Sequence, residues 1–134
     1  MSKKTSVKAA FEQSRSSHFD PYKINNSEKE IQVKVIPGDN GQSSVTEAWL
    51  EDKVILKNHA GPLDWLTIGT NQSLRGKYLE LYTAVTDVPG QPDKTSFDFR
   101  LRGGVSPYKY YAEKTVTTQG ASVLYKISIF FTIH

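Results

Sequence analysis

YKISIFFTIH, residues 125–134, alternates without a break. Tyr125, Ile127, Ile129, Phe131 and Ile133 fall on one side of an extended chain, and Lys126, Ser128, Phe130, Thr132 and His134 on the other. Side chains along a strand point to opposite faces in turn, so one side here is wholly apolar and must meet a core. An edge strand this apolar would invite pairing with other chains, so an inner position is expected. The chain ends on an apolar run because this last strand is expected to be part of the fold and not a tail.

Upstream, the same period recurs. EIQVKVI (30–36) sets Ile31, Val33 and Val35 against Gln32 and Lys34. SVTEAWL (44–50), DKVILK (52–57) and DWLTIGT (64–70) read as short strands, with NHAGP (58–62) as a loop. KYLELYTAVTDV (77–88) places Leu79, Leu81 and Val85 on one face, and TSFDFRLRGG (95–104) does the same with Phe97, Phe99 and Leu101. YKYYAEKTVTT (108–118) is a strand rich in Tyr and Thr. Turn signals separate these runs: GDNG (38–41), PGQPD (89–93) and Gln119-Gly120. After residue 28 no segment holds a helical period for three turns. The pattern predicts an all-β domain, an antiparallel β-sandwich of seven or eight strands in the Greek-key or jelly-roll manner.

Residues 1–28 differ in character. They are rich in Ser, Lys and Asn and hold five Lys/Arg against three Asp/Glu, whereas residues 29–134 hold twelve against eleven. The reading is an extended N-terminal arm (1–28) on a sandwich domain (29–134). SVKAAFEQS (6–14) offers a turn or two of helix, and Asp20-Pro21 an extended step. Phe11, Phe19, Tyr22 and Ile24 are its docking points, too few to fold alone but enough to seat on a formed surface.

Several chemistries are excluded or disfavoured. The chain of 134 residues has no cysteine, which removes disulfides, thiolate metal sites and thiol catalysis. No window approaches a membrane span, and the first residues lack the apolar core of a signal peptide. A cytoplasmic location is expected, with export by a signal-independent route left open. The near-neutral body carries no dense basic stripe, so nucleic acid is a disfavoured partner. Asn25-Asn26-Ser27 and Asn71-Gln72-Ser73 match the glycosylation pattern and are read as chance.

No nucleophile–base motif, P-loop or dinucleotide fingerprint occurs. His18, His59 and His134 are scattered, and His59 in KNHAG is the best placed of the three. Asp39, Asp87 and Asp93 would be the loop carboxylates of a calcium site, but no metal or other cofactor is implied. RLRGG (100–104) is a single copy, read as a turn that needs glycine and not as an RNA-binding repeat. The aromatics remain. Trp49 and Trp65 are expected in the core, although Trp65 is also a candidate contact. Tyr108 and Tyr110 share one face of their strand and Tyr111 takes the other, so Tyr108, Tyr110, Tyr111 and Trp65 form the ligand- or partner-binding set. The expected function is a non-enzymatic interaction or assembly module, binding a protein partner or itself. The alternative is a lectin-like carbohydrate or small-ligand binder.

Overall fold

The structure, a computed structural model, describes residues 16–38, 42–86, 94–116 and 122–134. Among the described residues, nine strands form two packed sheets, with one turn of helix in a connection. The strands are β1 (Ser16–Lys23), β2 (Glu30–Pro37), β3 (Ser43–Leu50), β4 (Lys53–Ala60), β5 (Leu63–Thr70), β6 (Tyr78–Thr86), β7 (Lys94–Arg102), β8 (Tyr108–Thr115) and β9 (Ser122–Thr132). The helix α1 (Asn71–Leu74) follows β5. One sheet runs β1-β9-β6-β3-β4 and the other β5-β2-β7-β8. Only β3–β4 and β7–β8 are hairpins within a sheet; every other connection crosses between sheets. The expected β-sandwich is the fold observed. Among the described residues no helix is long and apolar enough to cross a membrane.

The inner faces follow the alternation. Val33, Val35, Leu79, Leu81, Phe97, Phe99, Ile127, Ile129 and Phe131 are all buried between the sheets. Strand β9 is internal, flanked by β1 and β6. Truncating Ile127 or Phe131 to Ala should cost about 2–5 kcal/mol, from lost burial and the cavity left behind. The buried threonines are paired. Thr46 and Thr83 hydroxyls lie 2.9 Å apart, and the Thr95 hydroxyl lies 2.7 Å from that of Tyr125 while donating to Lys114 O. Such pairing removes the desolvation penalty that buried hydroxyls would otherwise carry.

The count of seven or eight strands is short by the segment assigned to the arm. Residues 16–23 are strand β1, which pairs in parallel with β9 from Ser16↔Tyr125 to Lys23↔Thr132, whereas every other strand pair is antiparallel. Tyr22 and Ile24, expected as arm contacts for a partner, are 4% and 2% exposed and belong to the core. A boundary at residue 28 therefore does not separate arm from body: residues 16–24 are built into the sandwich. Residues 1–15, with Phe11 and the stretch 6–14 expected to offer a turn or two of helix, lie outside the described residues, as do Asp39, Asp87, Asp93 and Gln119-Gly120.

The end of β1 is locked by the turn after β7. The Tyr22 hydroxyl donates to Ser106 O (2.7 Å) and accepts from Gly104 N (3.0 Å), and Val105 N donates to Lys23 O (3.0 Å). Space dictates the glycine pair of RLRGG. Gly103 has φ +106°, and a Cβ there would stand 2.0 Å from Glu30 O; one on Gly104 would stand 2.6 Å from the Tyr22 ring. The single-copy turn reading thus has a packing cause. Beside it, buried Asn71 donates to Lys29 O and Gly103 O (both 2.9 Å) and accepts from Asn25 N (3.0 Å). An amide enclosed this way ties three loops together and is not presented to solvent as a glycan acceptor would be.

Candidate functional site

Three places gather chemically active side chains. The first is the seam between edge strands β1 and β8, which face each other across the sandwich. Because Tyr108 pairs with Leu101 and Tyr110 with Phe99, both tyrosines point inward, as do His18, Asp20 and Tyr22 opposite Ile127, Ile129 and Phe131. The His18 ring stacks on Tyr110 (4.0 Å, 10°). Asp20 Oδ2 lies 2.8 Å from His18 Nε2 and accepts a hydrogen bond from the Tyr108 hydroxyl. That bond from Tyr108 holds the Asp20 carboxyl below its ordinary value, with His18 adding to the effect against partial burial. Burial, then the Asp20 contact, pushes the Tyr108 phenol far up. Burial raises Tyr110 and Tyr22 as well. Two of the tyrosines singled out for binding are thus engaged inside the fold, clasping β1 to β8. Tyr111 points the other way, 51% exposed, its hydroxyl donating to Glu113 Oε2 (2.9 Å).

The second place lies on the outer face of the β1-β9-β6-β3-β4 sheet. Phe19 (56% exposed) and Tyr78 (43% exposed) stand 6.3 Å apart between ring centres, and Tyr78 packs on Phe130 at 4.7 Å. The strand order puts β1 two places from β6, and the β3–β4 turn brings Glu51 and Asp52 alongside. Phe19, Tyr78, Glu51, Asp52, Glu80 and Ser128 line a hollow of about 340 Å³. Glu51 sits in the left-handed region (φ 55°), where its N–H donates to Tyr78 O (2.9 Å) and its carboxylate accepts from Tyr78 N (3.4 Å). Glu80 pairs with Lys126 (3.2 Å), and Asp52 has no ion-pair partner among the described residues. An aromatic pair beside carboxylates suits a cation: the ring faces and the acids attract the same charge.

The third place is on the outer face of the opposite sheet, around Trp65. Neither tryptophan lies in the core, against expectation. Trp49 is on the outer face with Val45 and Glu47, its indole N–H donating to Glu47 Oε2 (2.6 Å). Trp65 is turned outward by a register shift between Val33 and Val35, where β2 meets β5. Arg102 lies over its ring at 4.0 Å and Lys34 at 5.7 Å. His59 is not on a loop either. It belongs to β4, pairs opposite Thr46 and places Nε2 2.9 Å from Pro62 O.

Of the residues expected at the site, Trp65 and Tyr108 meet at one hollow, Tyr110 stays in the seam, and Tyr111 stands apart on the outer face. Phe19 joins a patch whose other members, Tyr78, Glu51, Asp52 and Glu80, were not anticipated. Among the described residues no group of three or more His, Asp or Glu is arranged to hold a metal ion. Comparison with protein-family models, with curated proteins and with solved structures yields no match.

Proposed function

We propose that this chain is a non-enzymatic β-sandwich assembly module that takes a basic segment of a protein partner in the hollow of Phe19, Tyr78, Glu51, Asp52 and Glu80. The observation that carries it is the pair of half-exposed rings, Phe19 and Tyr78, standing over carboxylates on an outer sheet face. Adjacent exposed aromatic rings with a polar rim mark contact surfaces. The partner that fits is a second copy of the chain, through residues 1–15. That segment carries Lys3, Lys4, Lys8 and Arg15 against one acid, Glu12, and holds Phe11 as an apolar anchor. Each cation–π contact contributes only about 0.5–1 kcal/mol at an exposed site, and each surface ion pair about 0–1 kcal/mol. A reciprocal pair of such contacts in a two-fold dimer gains from effective concentration, which a single contact lacks.

Light scattering of the full chain across a concentration series tests this. The mass should rise toward a dimer or larger assembly. The Lys3→Glu, Lys4→Glu, Lys8→Glu triple variant and Phe19→Ala should each shift association to higher concentration. Mixing the triple variant with an Asp52→Lys variant should restore hetero-association. A strict monomer at every concentration would sink the reading, as would association indifferent to both variants.

A further inference from the structure

The outer face around Trp65 carries a second inference, independent of the assembly reading. Trp65, Arg100, Arg102, Pro107, Tyr108 and Lys109 bound a hollow of about 420 Å³. Across Arg102 and Pro107 it adjoins another of about 350 Å³, whose rim includes Glu30, Gln32 and Ser106. Each is within the range of about 300–1,000 Å³ typical of small-ligand sites. Together they make a trough with Arg102 at its middle.

The charges on this face are not equally available. Asp98 accepts two bonds from Arg100, at Nε (3.0 Å) and Nη2 (3.1 Å), with Lys109 4.0 Å away. Asp64 pairs with Lys34 (3.6 Å). Arg102 forms no ion pair among the described residues. Its position is nonetheless fixed. The guanidinium stacks on Trp65, its Nε donates to Gln32 Oε1 (2.8 Å), and Gln32 is itself held by donating to Thr67 Oγ1 (3.1 Å). The Nη edge is left as a planar fork whose orientation is set before any ligand arrives. A planar, pre-oriented guanidinium is matched to a carboxylate, which takes two parallel N–H bonds.

The walls indicate what the carboxylate is attached to. Pro107 and the Trp65 edge give apolar surface, and Gln32, Glu30 and Ser106 give hydrogen-bonding partners along the trough. A pyranose has that combination: apolar C–H faces with hydroxyls around its rim. We propose that the trough binds a saccharide carrying a single carboxylate, a uronate-terminated glycan, with the carboxylate forked on Arg102 and the ring between Pro107 and the Trp65 edge. Single charge is part of the assignment. Asp64 and Asp98 are matched by Lys34 and Arg100, and Lys29 and Glu30 offset each other on the rim, so Arg102 is the one oriented fork left, and a single carboxylate satisfies it.

Two matched probes decide it: a glucuronic-acid-terminated disaccharide and the same disaccharide with its carboxyl reduced to the neutral hexose. Both are titrated into the full chain, with backbone amide shifts followed by NMR. The acidic probe should move Arg102, Gly103 and Lys109, and bind about tenfold or more tightly than the neutral one, the worth of a charge-assisted bidentate contact. Arg102→Gln should erase that preference, and Arg102→Lys should recover only part of it. Phe19→Ala should leave it intact, which separates this site from the assembly surface. Equal affinity for the two probes, shifts confined to other faces, or no binding of the acidic probe at millimolar concentration would each overturn the proposal. So would a single-stranded oligonucleotide that binds at Arg102 more tightly than the acidic disaccharide. The wild-type comparison stands alone should a variant fail to fold.

Discussion

Tyr22 is where the membership of β1 in the sandwich can be measured. Its ring is 4% exposed and meets Tyr108 and Phe131 edge-on, each with ring centres 6.2 Å apart. Its hydroxyl serves Ser106 O and Gly104 N together. Tyr22→Ala removes the ring and opens a cavity, a loss of about 3–5 kcal/mol by analogy with buried aromatic truncations. Tyr22→Phe keeps the ring but strands a backbone N–H and a carbonyl, at about 1–3 kcal/mol, less where water can reach them. Phe19, three residues earlier and on the opposite face, supplies the contrast: half-exposed, it should cost under about 1 kcal/mol when cut to Ala. Urea denaturation followed by circular dichroism measures all three, with unchanged slope required for the comparison. The expected order is Tyr22→Ala, then Tyr22→Phe, then Phe19→Ala. A Tyr22→Ala loss below about 1 kcal/mol, or one no larger than that of Phe19→Ala, would mean that β1 lies on the sandwich without being part of its cooperative core.

Asn71→Ala should lose about 2–3 kcal/mol in the same denaturation assay, since Gly103 O and Asn25 N lose their partner and Lys29 O keeps only the backbone N–H of residue 71; Asn71→Asp should not restore it, because a carboxylate cannot donate to two carbonyls. Alkaline stability should fall as pH rises above 10. Tyr22, Tyr108, Tyr110 and Tyr125 are all raised, chiefly by burial, so the unfolded chain gives up these protons first and the folded state retains them. Phenolate absorbance during a pH titration should show a late-ionising fraction that vanishes in denaturant. At the acid end the sign is opposite. Asp20 is lowered, so its contribution is present above its ordinary value of 3.8 and is lost as pH falls below it; Asp20→Asn should flatten that part of the stability profile.

Which parts of this architecture the sequence reveals follows from what each strand faces. Strands β9, β7 and β2 look onto the middle of the core, where the inward residues are apolar apart from Thr95 at the start of β7, and their alternation is plain. Strand β1 looks onto the seam. Its inward residues are His18, Asp20 and Tyr22, and two of them are polar because Tyr108 and Tyr110 satisfy them. A hydrophobic period cannot register such a strand; the extended step at Asp20-Pro21 was its one local sign. The tryptophans fail for two other reasons. In β3 the inward residues are Ser44, Thr46, Ala48 and Leu50, mostly small or polar, so Trp49 looks like the better core residue until Thr46 is seen paired with Thr83. In β5, Leu63 and Trp65 have the same parity, and only the irregular register against β2 sends Leu63 inward and Trp65 outward.

The candidate surfaces were harder to see for a topological reason. The hollow beneath Phe19 draws on β1, the β3–β4 turn, β6 and β9, segments separated by up to 109 positions in the chain, from Phe19 to Ser128. Nothing in sequence spacing links them. They become neighbours because the parallel β1 docks on β9, and β9 on β6. The strand that sequence patterning overlooks is therefore the one that completes the hollow. Its first residue, Ser16, also marks where the basic segment 1–15 joins the fold. One strand thus carries the aromatic wall of the hollow and tethers the segment proposed to fill that hollow on another copy. Loosening β1 should weaken both sides of the contact at once. Tyr22→Phe, which leaves Phe19 and every charge in place, should then reduce self-association as well as stability.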